Sequence, residues 1–355
     1  MSGTPAFEER RLTTDHAIHP LDVSNRARWD AFVRARPEGT FFHLSGWQQV
    51  LEQAFGHRTH FLYLEQQGQI EAVLPLAEVK SRLFGHSLVS TPFCVYGGPI
   101  ATAPHHRDAL LDAATRLATE LGVDHLELRS MSRQAPDWPC KELYVTFRKE
   151  ISADDEQNLK AIPRKQRAVV RKGIDAGLHS EIDTGIDRFF HAYSSSVRNL
   201  GTPVFSRKYF RVLREVFGDE CEILTITRQG ETVASVMSFY FRDQVLPYYG
   251  GGTEAARACK ANDFMYWALM CHAAGRGIRL FDYGRSKIGT GAYDFKKNWG
   301  FTPEPLYYEY HLVKGQALPD LNPLNPKYRL LINTWQRLPL WLSQWIGPWV
   351  SRYLG

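Results

Sequence analysis

With 355 residues, 44% of them hydrophobic and 23% charged, the chain exceeds what one hydrophobic core usually serves, and two domains are expected. The net charge of +5 is modest, and no run approaches the roughly 18 apolar residues of a spanning helix. The start, MSGTPAFEERRLTTDH, lacks the apolar core of a secretion signal, and five cysteines without a C-x-x-C point to reduced thiols in a cytosolic setting.

In chain order, GWQQVLEQAFG reads as a helix, and HRTHFLYLEQ and QIEAVLPLAEV read as strands joined by a tight turn at Gln67-Gly68. A Gly-rich corner, CVYGGP, leads to the helical run ALLDAATRLATELGV and the strand HLELRS. The same punctuation returns later. Trp47 matches Tyr209, Phe55-Gly56 matches Phe217-Gly218, and Gln67-Gly68 matches Gln229-Gly230, all at an offset of 162 residues. CVYGGP is answered by PYYGGGT, and the helix and strand closing on Arg129-Ser130 by those closing on Arg285-Ser286. Five ordered matches predict an internal duplication, each copy a mixed α/β unit with a hairpin-rich sheet and a strand-helix-strand crossover. The expected division is residues 18–150, residues 151–320 and a tail over 321–355.

Between the copies, residues 160–172 hold six Lys or Arg and no acid. Ser152 is a candidate N-cap, and Gly173 or Gly177 can end a helix or pair of helices there. On such a helix Arg164, Arg167 and Arg171 share one face, with Lys172 beside them. That face is either merely solvated or reads phosphate, since guanidinium presents a planar fork of donors to phosphate oxygens.

The stretch FDYGRSKIGTGAYDFKKNWGF, residues 281–301, mixes four glycines, aromatics and paired lysines in a way that neither a regular strand nor an amphipathic helix would choose. It reads as a loop with chemistry. Lys296 could stabilise an oxyanion, Asp282 could orient or accept an amine proton, and Gly289 and Gly291 would admit a ligand close to the backbone. Arg285 closes the preceding strand, and Tyr293 and Trp299 could cover the ligand. Tyr248 and Tyr249 alternate on a strand, so only Tyr249 is expected at a cleft. Arg198 and Asn199 fall on an expected loop as an acceptor-side wall. The alternatives at these positions are a turn cap for Asp282, solvated lysines and a plain surface turn. His57 and His60 lack the partners of a metal site, and no nucleophile elbow or Walker loop is present.

HLSGWQQV, PRKQRAVVRKGIDAGL and FDYGRSKIGTGAYDFKKNWGF together resemble the FemAB family of twin GNAT-like acyltransferases, over roughly residues 20–315. VRNLGTPVFSRKYF, LPYYGGGT and NPLNPKYRL resemble more narrowly the FemAB-like branch associated with exosortase and PEP-CTERM exopolysaccharide systems. The resemblance implies two tandem GNAT-like domains and transfer of an acyl or aminoacyl group to an amine of an envelope, peptidoglycan or exopolysaccharide precursor. It gives Lys296 its place in a closing Phe-Lys signature. The donor stays open between aminoacyl-tRNA and acyl-CoA, with no cofactor expected to remain bound and no metal. No heptad pattern marks a tRNA-contacting arm, and GTEAARACKANDF lacks the glycine pair of a coenzyme A pyrophosphate loop. Partners implied are a phosphate-bearing small molecule or lipid-linked precursor and tRNA as donor. A binding protein that kept the cleft without the chemistry is the contrasting reading.

The tail carries Trp335, Trp341, Trp345 and Trp349 and, from Leu321 onward, four basic residues and no acid. Pro339 and Pro348 are expected to interrupt it. Residues 328–355 either lie on the inner face of the cytoplasmic membrane or pack on the second unit as short helices.

Overall fold

The computed structural model describes residues 16–81, 85–314, 318 and 332–354. The first half contains β1 (His16–Pro20), α1 (Arg26–Ala35), α2 (Gly46–Val50), β2 (Thr59–Gln66), β3 (Gln69–Ser81), β4 (Gly85–Ser90), β5 (Ile100–Ala101), α3 (Pro104–Leu121), β6 (His125–Ser130) and β7 (Cys140–Lys141). Then come β8 (Tyr144–Glu150), α4 (Asp155–Ala161), α5 (Arg164–Asp175), β9 (Leu178–Asp183), α6 (Asp187–Leu200) and α7 (Arg207–Phe217). The second hairpin and crossover are β10 (Cys221–Arg228), β11 (Glu231–Phe241), β12 (Gln244–Gly252), α8 (Ala256–Cys259), α9 (Ala261–Gly275) and β13 (Leu280–Asp282). β14 (Ser286–Lys287), α10 (Gly291–Asn298), β15 (Thr302–Pro305), β16 (Tyr307–Leu312) and α11 (Leu340–Ser351) complete the chain.

The duplication is visible in backbone detail. Gln67 and Gly68 have φ of 51° and 78°, and Gln229 and Gly230 have 52° and 84°. Two successive positive φ values make the turn that matches strand twist in a two-residue hairpin, and glycine takes the second at no steric cost. Each hairpin then carries a bulge at the same offset, Glu71 on β3 and Val233 on β11 being the extra residues. Trp47 and Tyr209 are both fully buried. One match slips. β12 lies at the position of β4, and CVYGGP is not its counterpart but the irregular segment after β4. That segment is held by Arg129, whose carbonyl accepts from Gly97 and Gly98 N–H at 3.0 and 2.9 Å and whose guanidinium donates to the Cys94 carbonyl at 2.9 Å.

Two mixed sheets result, in the orders β1-β2-β3-β4-β6-β16-β7 and β14-β8-β13-β12-β11-β10-β9, with β5 on β3 and β15 on β8. Both crossovers join parallel neighbours, β4 with β6 and β12 with β13. The halves trade strands: β8, which precedes residue 151, pairs in the second sheet, and β16 pairs antiparallel with β6 in the first. An aromatic core joins them, with Phe41 stacked on Phe239 at 4.4 Å and Trp47 against Phe217 at 5.5 Å between ring centres. The five cysteines are free, and Cys94, Cys221 and Cys259 are buried.

Candidate active site

β12 and β13 pair only at Gln244–Leu280 and Val245–Phe281 and then splay apart. The gap is a cavity of ≈ 390 Å³ lined by Pro247 to Gly250 on one side, Tyr283 to Arg285 on the other, and Lys296 of α10. Both Tyr248 and Tyr249 line it, against the expectation of one. The reason is a bulge: Met237 pairs with Tyr249 and Ser238 with Pro247, leaving Tyr248 as an extra residue that breaks the alternation. Tyr249 shares a hydroxyl hydrogen bond of 2.7 Å with Tyr209, and the Tyr248 hydroxyl donates to the Phe93 carbonyl at 2.9 Å. Tyr283 is 5% exposed, and among the described residues its hydroxyl has no hydrogen-bond partner. A buried hydroxyl left so is costly unless something else meets it.

Lys296 lies on a helix, not a loop. Thr290 caps α10, accepting from Tyr293 N–H at 3.4 Å, and Ala292, Phe295 and Lys296 face inward. The Lys296 ammonium is 9% exposed and donates to the carbonyls of Gly284 at 2.9 Å and Arg285 at 3.0 Å. Burial lowers its pKa to about 7, with the Asp282 charge opposing and Arg285 reinforcing the drop. Two of its three protons are held by carbonyls, so one remains for the cavity. Lys297 turns away, over the Tyr293 ring at 5.4 Å.

Asp282 is buried behind this arrangement. Its carboxylate accepts from Tyr96 at 3.0 Å, Thr146 at 3.1 Å and Gly284 N–H at 2.7 Å. Burial raises its pKa, and those hydrogen bonds oppose the rise. It borders a second cavity of ≈ 480 Å³ between the halves, with Tyr96, Arg148 and Arg129, rather than the one holding Lys296. Asp282 therefore acts as both turn cap and electrostatic neighbour. Tyr96 belongs to the CVYGGP segment, and its role is not legible locally because its partner lies 186 residues away.

The remaining candidates divide. Arg285 lines the cavity, donates to the Tyr308 hydroxyl at 3.0 Å and stands 4.8 Å over the Tyr144 ring. Tyr293 packs edge-on against Phe147 at 5.4 Å, outside the cavity. Trp299 covers no ligand site: it is fully buried core, its indole donating to Asp263 at 3.3 Å. Gly289 lies in the turn before α10 and Gly291 is its first residue; neither lines the cavity, and no atom lies within 4 Å of their Cβ positions. Arg198 and Asn199 are on α6, not a loop. Arg198 donates to the Leu338 carbonyl at 3.1 Å and the Asn199 carbonyl accepts from Gln336 at 3.1 Å, so both hold the tail. Arg164, Arg171 and Lys172 are exposed on α5, while Arg167 folds back onto the Ile162 carbonyl at 3.2 Å. The basic segment is two helices broken at Ile162-Pro163, and Asp154 rather than Ser152 caps the first by accepting from Glu156 N–H at 2.8 Å.

The fold is thus a tandem GNAT-like one with a helical tail, and its candidate site lies where parallel strands splay in the second unit. The family described as Acetyltransferase (GNAT) domain matches residues 159–297, from the end of α4 to Lys297. Among solved structures, the chain is similar to FemX at 15% identity and a TM-score of 0.68, with 89% of this chain and 100% of that one covered. It is similar to a tandem GNAT protein from the clavulanic acid biosynthesis pathway at 13% identity and a TM-score of 0.54, covering 85% of this chain and 100% of that one. The C-terminal domain (DUF2156) of a proposed lysylphosphatidylglycerol synthetase from Agrobacterium fabrum is similar at 12% identity and a TM-score of 0.54, covering 82% and 92%. At such identities the likeness is one of fold. No curated protein matches the chain. The matched domain supports an acyltransferase.

Proposed function

We propose that the protein is a FemAB-type acyltransferase or aminoacyltransferase that modifies an amine of a cell-envelope, peptidoglycan or exopolysaccharide precursor. The observation that carries this reading is Lys296, buried at the splay of two parallel strands with one proton free for the cavity. When an amine attacks the acyl carbon, the new C–N bond puts negative charge on the carbonyl oxygen, and the Lys296 ammonium donates to it. As the oxygen or sulfur of the donor leaves, it takes up the proton that the amine loses. Gly284 and Arg285 hold the ammonium in place, so little reorganisation accompanies the step.

The exposed guanidinium and ammonium groups of α5 are proposed to hold phosphate on the donor or acceptor. Aminoacyl-tRNA and acyl-CoA are both donors of the required kind. GTEAARACKANDF folds as α8, a left-handed Lys260 and the first turn of α9, without the glycine pair that lets pyrophosphate approach a helix N-terminus. This favours the aminoacyl donor. The exosortase and PEP-CTERM setting rests on the sequence resemblance alone.

The test is transfer of label from aminoacyl-tRNA, and separately from acyl-CoA, to amines of an envelope-precursor extract. Label should move from one donor with the wild type and from neither with Lys296→Met. Equal transfer by the variant would remove Lys296 from the chemistry.

A further inference from the structure

The tail uses both faces of one helix. After Pro339, α11 runs through Pro348 without stopping, against the expectation of a break. Ser343, Gly347 and Ser351 recur every fourth residue and are buried toward α6 and Val204. Gln344 donates to the Ser194 hydroxyl at 2.8 Å and Ser351 to the Val204 carbonyl at 3.2 Å. Arg352 donates to the Phe55 carbonyl, and its own carbonyl meets the His57 ring at 2.9 Å. The helix is therefore clamped, and its other face is not left bare by loose packing.

That other face is a ridge of three indoles. Trp341, Trp345 and Trp349 are 67%, 68% and 65% exposed and also recur every fourth residue. α11 contains no charged residue, Arg337 and Arg352 flank it, and no acid occurs from residue 321 to the end. Leaving indoles exposed to solvent has no folding benefit, whereas the boundary between headgroups and acyl chains suits an amphipathic ring. The exposed Arg337, in a segment without acids, complements an anionic surface. Leu354, three residues after α11, lines the same cavity as Lys296.

We propose that the Trp341, Trp345 and Trp349 ridge seats the protein on an anionic lipid surface. No described helix is long and apolar enough to cross a membrane, and an in-plane helix needs no such span.

The experiment compares the wild type with a Trp341→Ser, Trp345→Ser, Trp349→Ser variant, all at exposed positions. Binding to phosphatidylcholine vesicles containing phosphatidylglycerol should fall by about tenfold or more, with an unchanged melting temperature and no binding to phosphatidylcholine alone. Equal vesicle binding by the two proteins would overturn the proposal. So would a wild type that ignores vesicles but sediments as a dimer dispersed by the substitutions, since a second copy would then cover the ridge.

Discussion

Lys296 and Asp282 form a chain of dependence: the carboxylate takes the Gly284 N–H, and the Gly284 carbonyl takes the ammonium. With a pKa of about 7 and an active ammonium form, turnover should decline as pH rises through about 7. Asp282→Asn removes the charge that opposes deprotonation, so that limb should move to lower pH while residual activity persists on the acid side. An unmoved limb would make Asp282 a structural cap only. The same pKa has a stability signature. An unfolded lysine titrates near about 10.4, so between about pH 7 and that value the unfolded chain binds the proton and the folded chain does not. Lys296 therefore opposes folding when protonated, and stability should rise with pH across that window. In Lys296→Met that contribution to the slope should vanish, as denaturant melts at several pH values would show.

At the scale of elements, hairpins and crossovers were legible because their signals are local. Gln-Gly pairs between alternating apolar runs impose the turn, and the 162-residue offset carried through to the bulges at Glu71 and Val233. α10 was not legible as a helix, since its glycines and mixed polarity hide the cap at Thr290. Nor was the destination of Arg198, which depends on where a distant tail returns. The tail itself was read as either packed or membrane-facing, and its periodicity of four serves two faces. Gly347 gives a direct check on the packed one. A Cβ there would meet Val204 side-chain and backbone atoms at 2.9 Å, so Gly347→Val should cost about 1–3 kcal/mol by forcing α11 off its seat. A melting curve like the wild type's would mean that α11 docks differently.

For the whole molecule, the exchange of β8 and β16 makes the two units mutually dependent. Residues 1–150 without β16 lose the partner of β6 and β7, and residues 151–355 without β8 leave β13, β14 and β15 short of a neighbour. The aromatic interface would be exposed as well. Neither fragment should give a cooperative melt alone, and the intact chain should unfold in one transition. Cooperative melting of either fragment would contradict this coupling. The repeat sets the expected division at residue 151, and the strands that cross it are not legible, because exchange is a nonlocal pairing with no signal in either strand.

If the protein transfers an acyl group to an envelope amine at the Lys296 cavity, as proposed, mass spectrometry of precursors will reveal it. Cells carrying the wild type should contain a precursor heavier by one acyl or aminoacyl group. Cells lacking the protein, and cells carrying folded Lys296→Met at equal abundance, should lack it. The same added mass in all three would contradict the account.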